Sequence, residues 1–226
     1  MVSTQKPRIK ICGLKDKATI IAMDGLAIHE IGLVFAPSKR QVTIEQAKGL
    51  VEAIHQIHNH EGNAPRAVGV FVNEPLASIA EVIKRTNVDV VQLHGKESVQ
   101  YTKQLKELFP KIAIWKVVSI KEQLLDINGW QDELQPFSPY IEALLIDAPG
   151  GGTGKPFNWE AIQAFYSIAS QLHISLYVAG GLNQDNVRAL LEEHQMHGID
   201  VSSGVETDGV KDINKIHQFI GKVIEA

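Results

Sequence analysis

The strongest constraint on this chain is a repeat. Short apolar runs alternate eight times with stretches of helical period between Arg8 and Ile224. The runs read as strands at Arg8–Cys12, Ile31–Phe35, Ala67–Val72, Val88–Leu93, Ile112–Val118, Glu142–Asp147, Ile174–Val178 and Ile199–Val201. Asp16 is placed to cap a helix through about Ala27. Thr43 and Gln46 form a capping-box pair ahead of a helix in which Ile44, Ala47, Val51, Ile54 and Ile57 recur at helical spacing. Pro75 stands where a third helix begins, a position at which its missing N–H costs little. Further helices are predicted over Glu97–Leu108, Ile120–Ile127 and Asn158–Ser170, from Asn183, and over Val210–Ile224. An irregular stretch is predicted around Gly129, Pro136 and Pro139. Mostly apolar strands between amphipathic helices imply a parallel sheet covered by helices, because such strands have no polar face to show to water. An open doubly wound sheet satisfies that rule too. Eight regular units fit closure better, and barrels of this kind begin at ~200 residues. The chain is therefore predicted to be one α/β domain over residues 1–226, a (β/α)8 TIM barrel.

Composition narrows the classes of function. The 226 residues are 44% apolar and 21% charged, with a formal net charge of -4. Non-specific nucleic-acid binding needs a basic footprint, which this balance lacks. There is one cysteine, so no intrachain disulfide forms, and a reducing cytoplasmic setting is expected. No apolar run approaches the ~20 residues of a membrane span. Residues 1–8 carry no apolar signal region.

In such a barrel the active site lies at the C-terminal ends of the strands, and that rule ranks residues before their chemistry is considered. Cys12 ends the first strand, and Lys10 shares its face because strand side chains alternate. A lone cysteine is commonly a small buried hydrophobe. A thiol whose pKa is lowered by a nearby cation such as Lys10 can instead take a proton from carbon. Asp147 closes the run Leu144–Ile146, where a carboxylate is either a loop cap or, if buried and so protonated, a general acid. Arg40 follows the second strand, either as a solvated charge or as a fork for a planar carboxylate.

Two turns near the C-terminus, Ala179–Asn183 and Asp200–Gly204, each follow a strand and meet a helix start. Glycine lets backbone N–H groups approach an anion, and a helix N-terminus adds unpaired donors, so the pair suggests one phosphate held between neighbouring strand ends. The glycine-rich stretch Ala148–Pro156 is no P-loop: Pro149 occupies the position of the first glycine, and Pro156 follows Lys155. A lid containing Gly151, Gly152 and Gly154 is the better reading. His55, His58, His60, His194 and His197 read as surface residues, and no spacing supports a metal. Trp115, Trp130 and Trp159 read as packing residues.

Together these stretches resemble the phosphoribosylanthranilate isomerase family of tryptophan biosynthesis. The resemblance is carried by Lys10–Gly13, Val34–Arg40, Val68–Asn73, Val90–Gly95, Leu145–Asp147 with Gly151–Lys155, Gly180–Asn183 and Asp200–Glu206, in that order along nearly the whole chain. It implies an Amadori rearrangement of N-(5-phosphoribosyl)anthranilate to 1-(2-carboxyphenylamino)-1-deoxyribulose 5-phosphate. By that resemblance Cys12 is the general base and Asp147 the general acid. Arg40 receives the anthranilate carboxylate, and Asp200 stands near the ribose. The phosphate lies on Gly180, Gly181, Ser202, Ser203 and Gly204. No metal or cofactor is expected; the partner is a small phosphorylated substrate, and the assembly a monomer or homodimer. Two rivals share the fold. A histidine-pathway Amadori enzyme is expected to use two aspartates, whereas the first strand here ends in Cys12. A non-catalytic phosphate-binding barrel has no need of both Cys12 and Asp147.

Overall fold

The computed structural model describes residues 6–120, 127–147 and 160–226, without the side chains of residues 127, 128 and 160. Its strands are β1 (Arg8–Cys12), β2 (Glu30–Val34), β3 (Arg66–Phe71), β4 (Val90–Leu93), β5 (Ala113–Ser119), β6 (Ala143–Asp147), β7 (Ser175–Ala179) and β8 (Gly198–Val201). All pair in parallel, each with the next, and β8 returns to β1, so the sheet closes into a barrel. Closure explains the apolar runs. One face of each strand meets the helices, and the other fills the interior with side chains such as Val68, Val90, Trp115, Leu145 and Tyr177.

The helices are α1 (Lys17–Ala22), α2 (Ile44–Gln56), α3 (Leu76–Thr86), α4 (Val99–Leu108), α5 (Ile127–Leu134), α6 (Glu160–Gln171), α7 (Val187–Glu193) and α8 (Ile213–Glu225). The capping box of Thr43 and Gln46 forms as expected, with both reciprocal hydrogen bonds present. Asp16 caps α1, accepting from the Thr19 N–H at 2.7 Å. That helix ends at Ala22 rather than near Ala27, because Gly25 turns the chain with φ +80° and donates its N–H to His58 O.

Other stretches also differ from the expectation. The region around Gly129 is helical (α5) and not irregular. Trp130 packs on Phe165 with ring centroids 5.3 Å apart, and Leu134 is buried. That packing outweighs the ~1 kcal/mol cost of glycine in a helix. The helix predicted over Ile120–Ile127 falls mostly on residues outside those described. After β7 the helix begins at Val187, not Asn183. The intervening turn is held by Asn183 Oδ1, which accepts the N–H groups of Asp185 and Asn186. Near the C-terminus, Val210 and Lys211 are not helical: β9 (Glu206–Thr207) and β10 (Val210–Lys211) form a small antiparallel hairpin. Asp208 and Gly209 make its turn, both at positive φ (51° and 79°), the backbone that a two-residue hairpin of the I′ kind requires. Asp212 then caps α8.

Candidate active site

The C-terminal ends of the strands gather the predicted residues on one face. Cys12 ends β1 and is buried, and its Sγ fits only because residue 32 on the paired strand is glycine. A Cβ there would lie 2.7 Å from the sulfur. Lys10, fully buried below it, donates to Asp200 Oδ1 at 2.9 Å. Burial works against the ammonium charge, and Asp200 and then the Cys12 sulfur outweigh it, so Lys10 stays a cation. The sequence leads one to expect Lys10 to make the thiol more acidic. It does pull in that direction, as does Lys211. Burial is the larger effect, however, and with help from the Asp200 charge it leaves the Cys12 thiol above its ordinary value.

Asp147 ends β6, which is separated from β1 by β7 and β8 round the barrel. Its side chain is 34% exposed rather than buried as the sequence argument requires, and Nε2 of His94 lies 3.4 Å from its Oδ2. His94 follows β4, and its Nδ1 lies 3.5 Å from Gln92 Nε2. A buried brace fixes this corner. Glu97 accepts the N–H groups of Asn73 and Gly95 and the Lys116 ammonium, and Lys116 also donates to Gly95 O.

The two glycine turns stand side by side. Gly180 and Gly181 have φ +100° and +64°, backbone that disfavours any side chain. Gly204 packs so closely on the neighbouring turn that a Cβ would meet Leu182 O at 1.9 Å. Ser203–Val205 is one turn of 3-10 helix, which leaves the N–H groups of Ser203 and Gly204 without an intrahelical acceptor. Among the described residues the N–H groups of Gly180, Gly181, Ser203 and Gly204 donate to no other group. Ser202 points elsewhere: its Oγ donates to Cys12 O at 3.0 Å. The donors for an anion thus come from the turns themselves, and α7, which starts at Val187, supplies none at Asn183.

Arg40 is where the sequence places it but is not free. Its Nε and Nη2 bond Glu206 Oε1 and Oε2 at 2.6 and 2.8 Å, and its stem lies against Gly13, where a Cβ would come within 2.4 Å of Arg40 Cδ. Lys211 Nζ bonds the same carboxylate at 2.7 Å and also Ser202 O at 2.9 Å. Burial alone would raise the Glu206 carboxyl; the hydrogen bonds from Arg40 and Lys211 overcome it and hold the group at about 2. The sequence reading missed Glu206 and Lys211. The available signal was Asp208–Gly209, a two-residue turn that makes 206 and 211 cross-strand neighbours.

His55 pairs with Asp89 at 2.8 Å on the surface. His197 does more than face solvent, since its Nδ1 accepts the Leu176 N–H at 3.0 Å and its ring stacks on Tyr166. Trp115 is interior packing against Tyr177. The glycine-rich stretch and Trp159 lie outside the described residues. Among the described residues no three His, Cys, Asp or Glu side chains are grouped to hold a metal ion, and no helix is long and apolar enough to cross a membrane.

Known proteins similar to this chain point one way. Residues 9–222 match the family described as N-(5'-phosphoribosyl)anthranilate (PRA) isomerase. The isomerase of Acetivibrio thermocellus is 40% identical, with 96% of each chain covered. That of Brevibacillus brevis is 39% identical over 96% of this chain and 93% of its own. The crystal structure of the Thermotoga maritima isomerase superposes with a TM-score of 0.78 at 28% identity, covering 97% of this chain and all of that one. A structure of the isomerase in complex with reduced 1-(o-carboxyphenylamino)-1-deoxyribulose 5-phosphate superposes with a TM-score of 0.76 at 26% identity and the same coverage. With a closed eight-stranded barrel, a thiol and a carboxylate on one rim, and a family match that spans nearly its whole length, this chain belongs to the phosphoribosylanthranilate isomerase family.

Proposed function

We propose that Cys12 and Asp147 are the base and the acid through which this chain isomerises N-(5-phosphoribosyl)anthranilate in tryptophan biosynthesis. The observation that carries the reading is the placement of a buried thiol and a carboxylate on strand ends of the rim that also bears the two glycine turns. The phosphate sits on the N–H groups of Gly180, Gly181, Ser203 and Gly204, which donate to no group among the described residues, with Ser202 holding the turn to β1 through Cys12 O. Asp147 gives its proton to the furanose ring oxygen. The C1′–O bond breaks, and the anilino nitrogen lone pair forms the C1′=N bond. Cys12, its own thiol proton having passed by way of solvent to charge Asp147 beforehand, removes the C2′ proton as thiolate. The C–H electrons make C1′=C2′, and nitrogen recovers its pair. The resulting enolamine takes a proton at C1′ and loses its hydroxyl proton to become the ketone. His94, beside Asp147, relays a proton back to the acid. Asp200 is the ribose-side neighbour, and Arg40 receives the anthranilate carboxylate on the three N–H donors that Glu206 does not use. The stretch containing Gly151, Gly152 and Gly154 serves as the lid. The chain works in the cytoplasm as a monomer or homodimer, which light scattering on the purified protein decides.

The test is a fluorescence assay with freshly made N-(5-phosphoribosyl)anthranilate. Wild type should remove the anthranilate signal well above the spontaneous rate. Cys12→Ala and Asp147→Asn should each lower kcat by ~10²-fold or more and bind phosphate ligands nearly as wild type. Arg40→Ala should act mainly on KM. Near-normal turnover in Cys12→Ala would remove it as the base.

A further inference from the structure

The Arg40 guanidinium is offered to a substrate carboxylate while already paired with Glu206, and a paired arginine carries no net charge toward an anion. The structure supplies the missing charge. Lys211, buried, bonds the same Glu206 Oε1 from the other side. Two buried or half-buried cations therefore face one carboxylate, with Lys39 a further 3.8 Å away at the exposed edge. The β9–β10 hairpin sets 206 opposite 211, so both side chains leave the same face of a two-stranded ribbon. Gly13, next to the thiol-bearing residue, admits the Arg40 stem.

We infer that Arg40, Glu206 and Lys211 form one anion seat, in which Glu206 is a positioning residue that aims the arginine fork and Lys211 leaves the seat net positive. The ligand class is an aromatic carboxylate, and the inference rests on the function proposed above. It gives Glu206 an effect opposite to plain electrostatics. Removing its charge makes the cluster more positive, which alone would tighten anion binding. Removing a positioning group loosens it, because Arg40 then spreads over many rotamers.

The experiment is steady-state kinetics on E206Q, with inorganic phosphate as a competing ligand. KM should rise about tenfold, kcat should stay within about threefold, and inhibition by inorganic phosphate should hold within about threefold. An unchanged or lower KM, or equal losses for substrate and phosphate, would overturn the inference while wild-type turnover keeps the functional reading intact. A wild type without turnover would sink both. If E206Q does not fold by circular dichroism, K211M carries the test: it removes the surplus charge, so its KM must also rise, and an unchanged KM in it overturns the seat.

Discussion

The two ends of the barrel solve one problem in opposite ways. Each buries a carboxylate between two cations. At the N-terminal end Glu30 is fully buried and accepts from Arg8 at 2.7 and 2.9 Å and from Arg66 at 3.2 Å. Arg66 also pairs with Glu142 at 2.8 Å, and its guanidinium lies over the Trp115 ring. The Tyr177 hydroxyl accepts from Arg8, and burial pushes its pKa far up. Two cations meet two carboxylates, so this end is balanced and capped by aromatic rings. At the other end, Arg40 and Lys211 meet only Glu206, and three N–H donors of Arg40 have no partner among the described residues. A closed ledger of charge marks the structural end; a surplus marks the end at which we place the substrate carboxylate. This fits the general separation of stability and chemistry between barrel faces.

The two ends should differ most in their response at Glu30. Glu30→Gln leaves two arginines around a neutral amide and should lower stability by about 3 kcal/mol, read as a fall in the urea midpoint. Turnover by the folded fraction should be unchanged. A loss of kcat without a loss of stability would mean that the two ends are coupled. At the chemical end, Gly32→Ala forces a methyl group against the Cys12 sulfur and should reduce kcat about tenfold, with KM little altered. Equal kcat in the two proteins would show that the thiol has room to move. The smallest effect is a titration at the structural end. His29 Nδ1 accepts the Ile9 N–H at 3.0 Å, and burial, followed by the Arg8 charge, holds the ring down at about 4. The unfolded ring takes its proton near 6.5, so the unfolded chain binds more protons between these values. That stability is complete above pH 6.5 and is lost as pH falls toward 4. In His29→Asn, whose Oδ1 can still accept, the midpoint should change less steeply with pH over the same window; an identical slope would clear His29 of the role.

Much of this was legible from the sequence. The eight strands announce themselves because burial on both faces favours runs of apolar side chains, as in Leu144, Leu145 and Ile146. Cys12, Arg40 and Asp147 could be ranked because the fold fixes which strand ends form the rim. What escaped depended on contacts between distant segments. No local pattern says that Arg40 meets Glu206, 166 residues away. Burial defeated the acidifying effect of Lys10 on the thiol, and only coordinates weigh those two. The start of α7 was misplaced because Asn183 reads as a helix cap, while here it closes a turn of its own.

The seam between β1 and β8 has a consequence for the order of events in the cell. Lys10 reaches Asp200, and Ser202 reaches Cys12 O, each across 190 residues. At ~5–20 residues per second, synthesis separates these partners by about 10–40 s. Through that interval a nascent chain carries its thiol without the strand that will hold it, and a chain halted between Asp147 and Asp200 carries Cys12, Arg40 and Asp147 with no seam to close. Cys12 is among the first side chains made and among the last to be put in place.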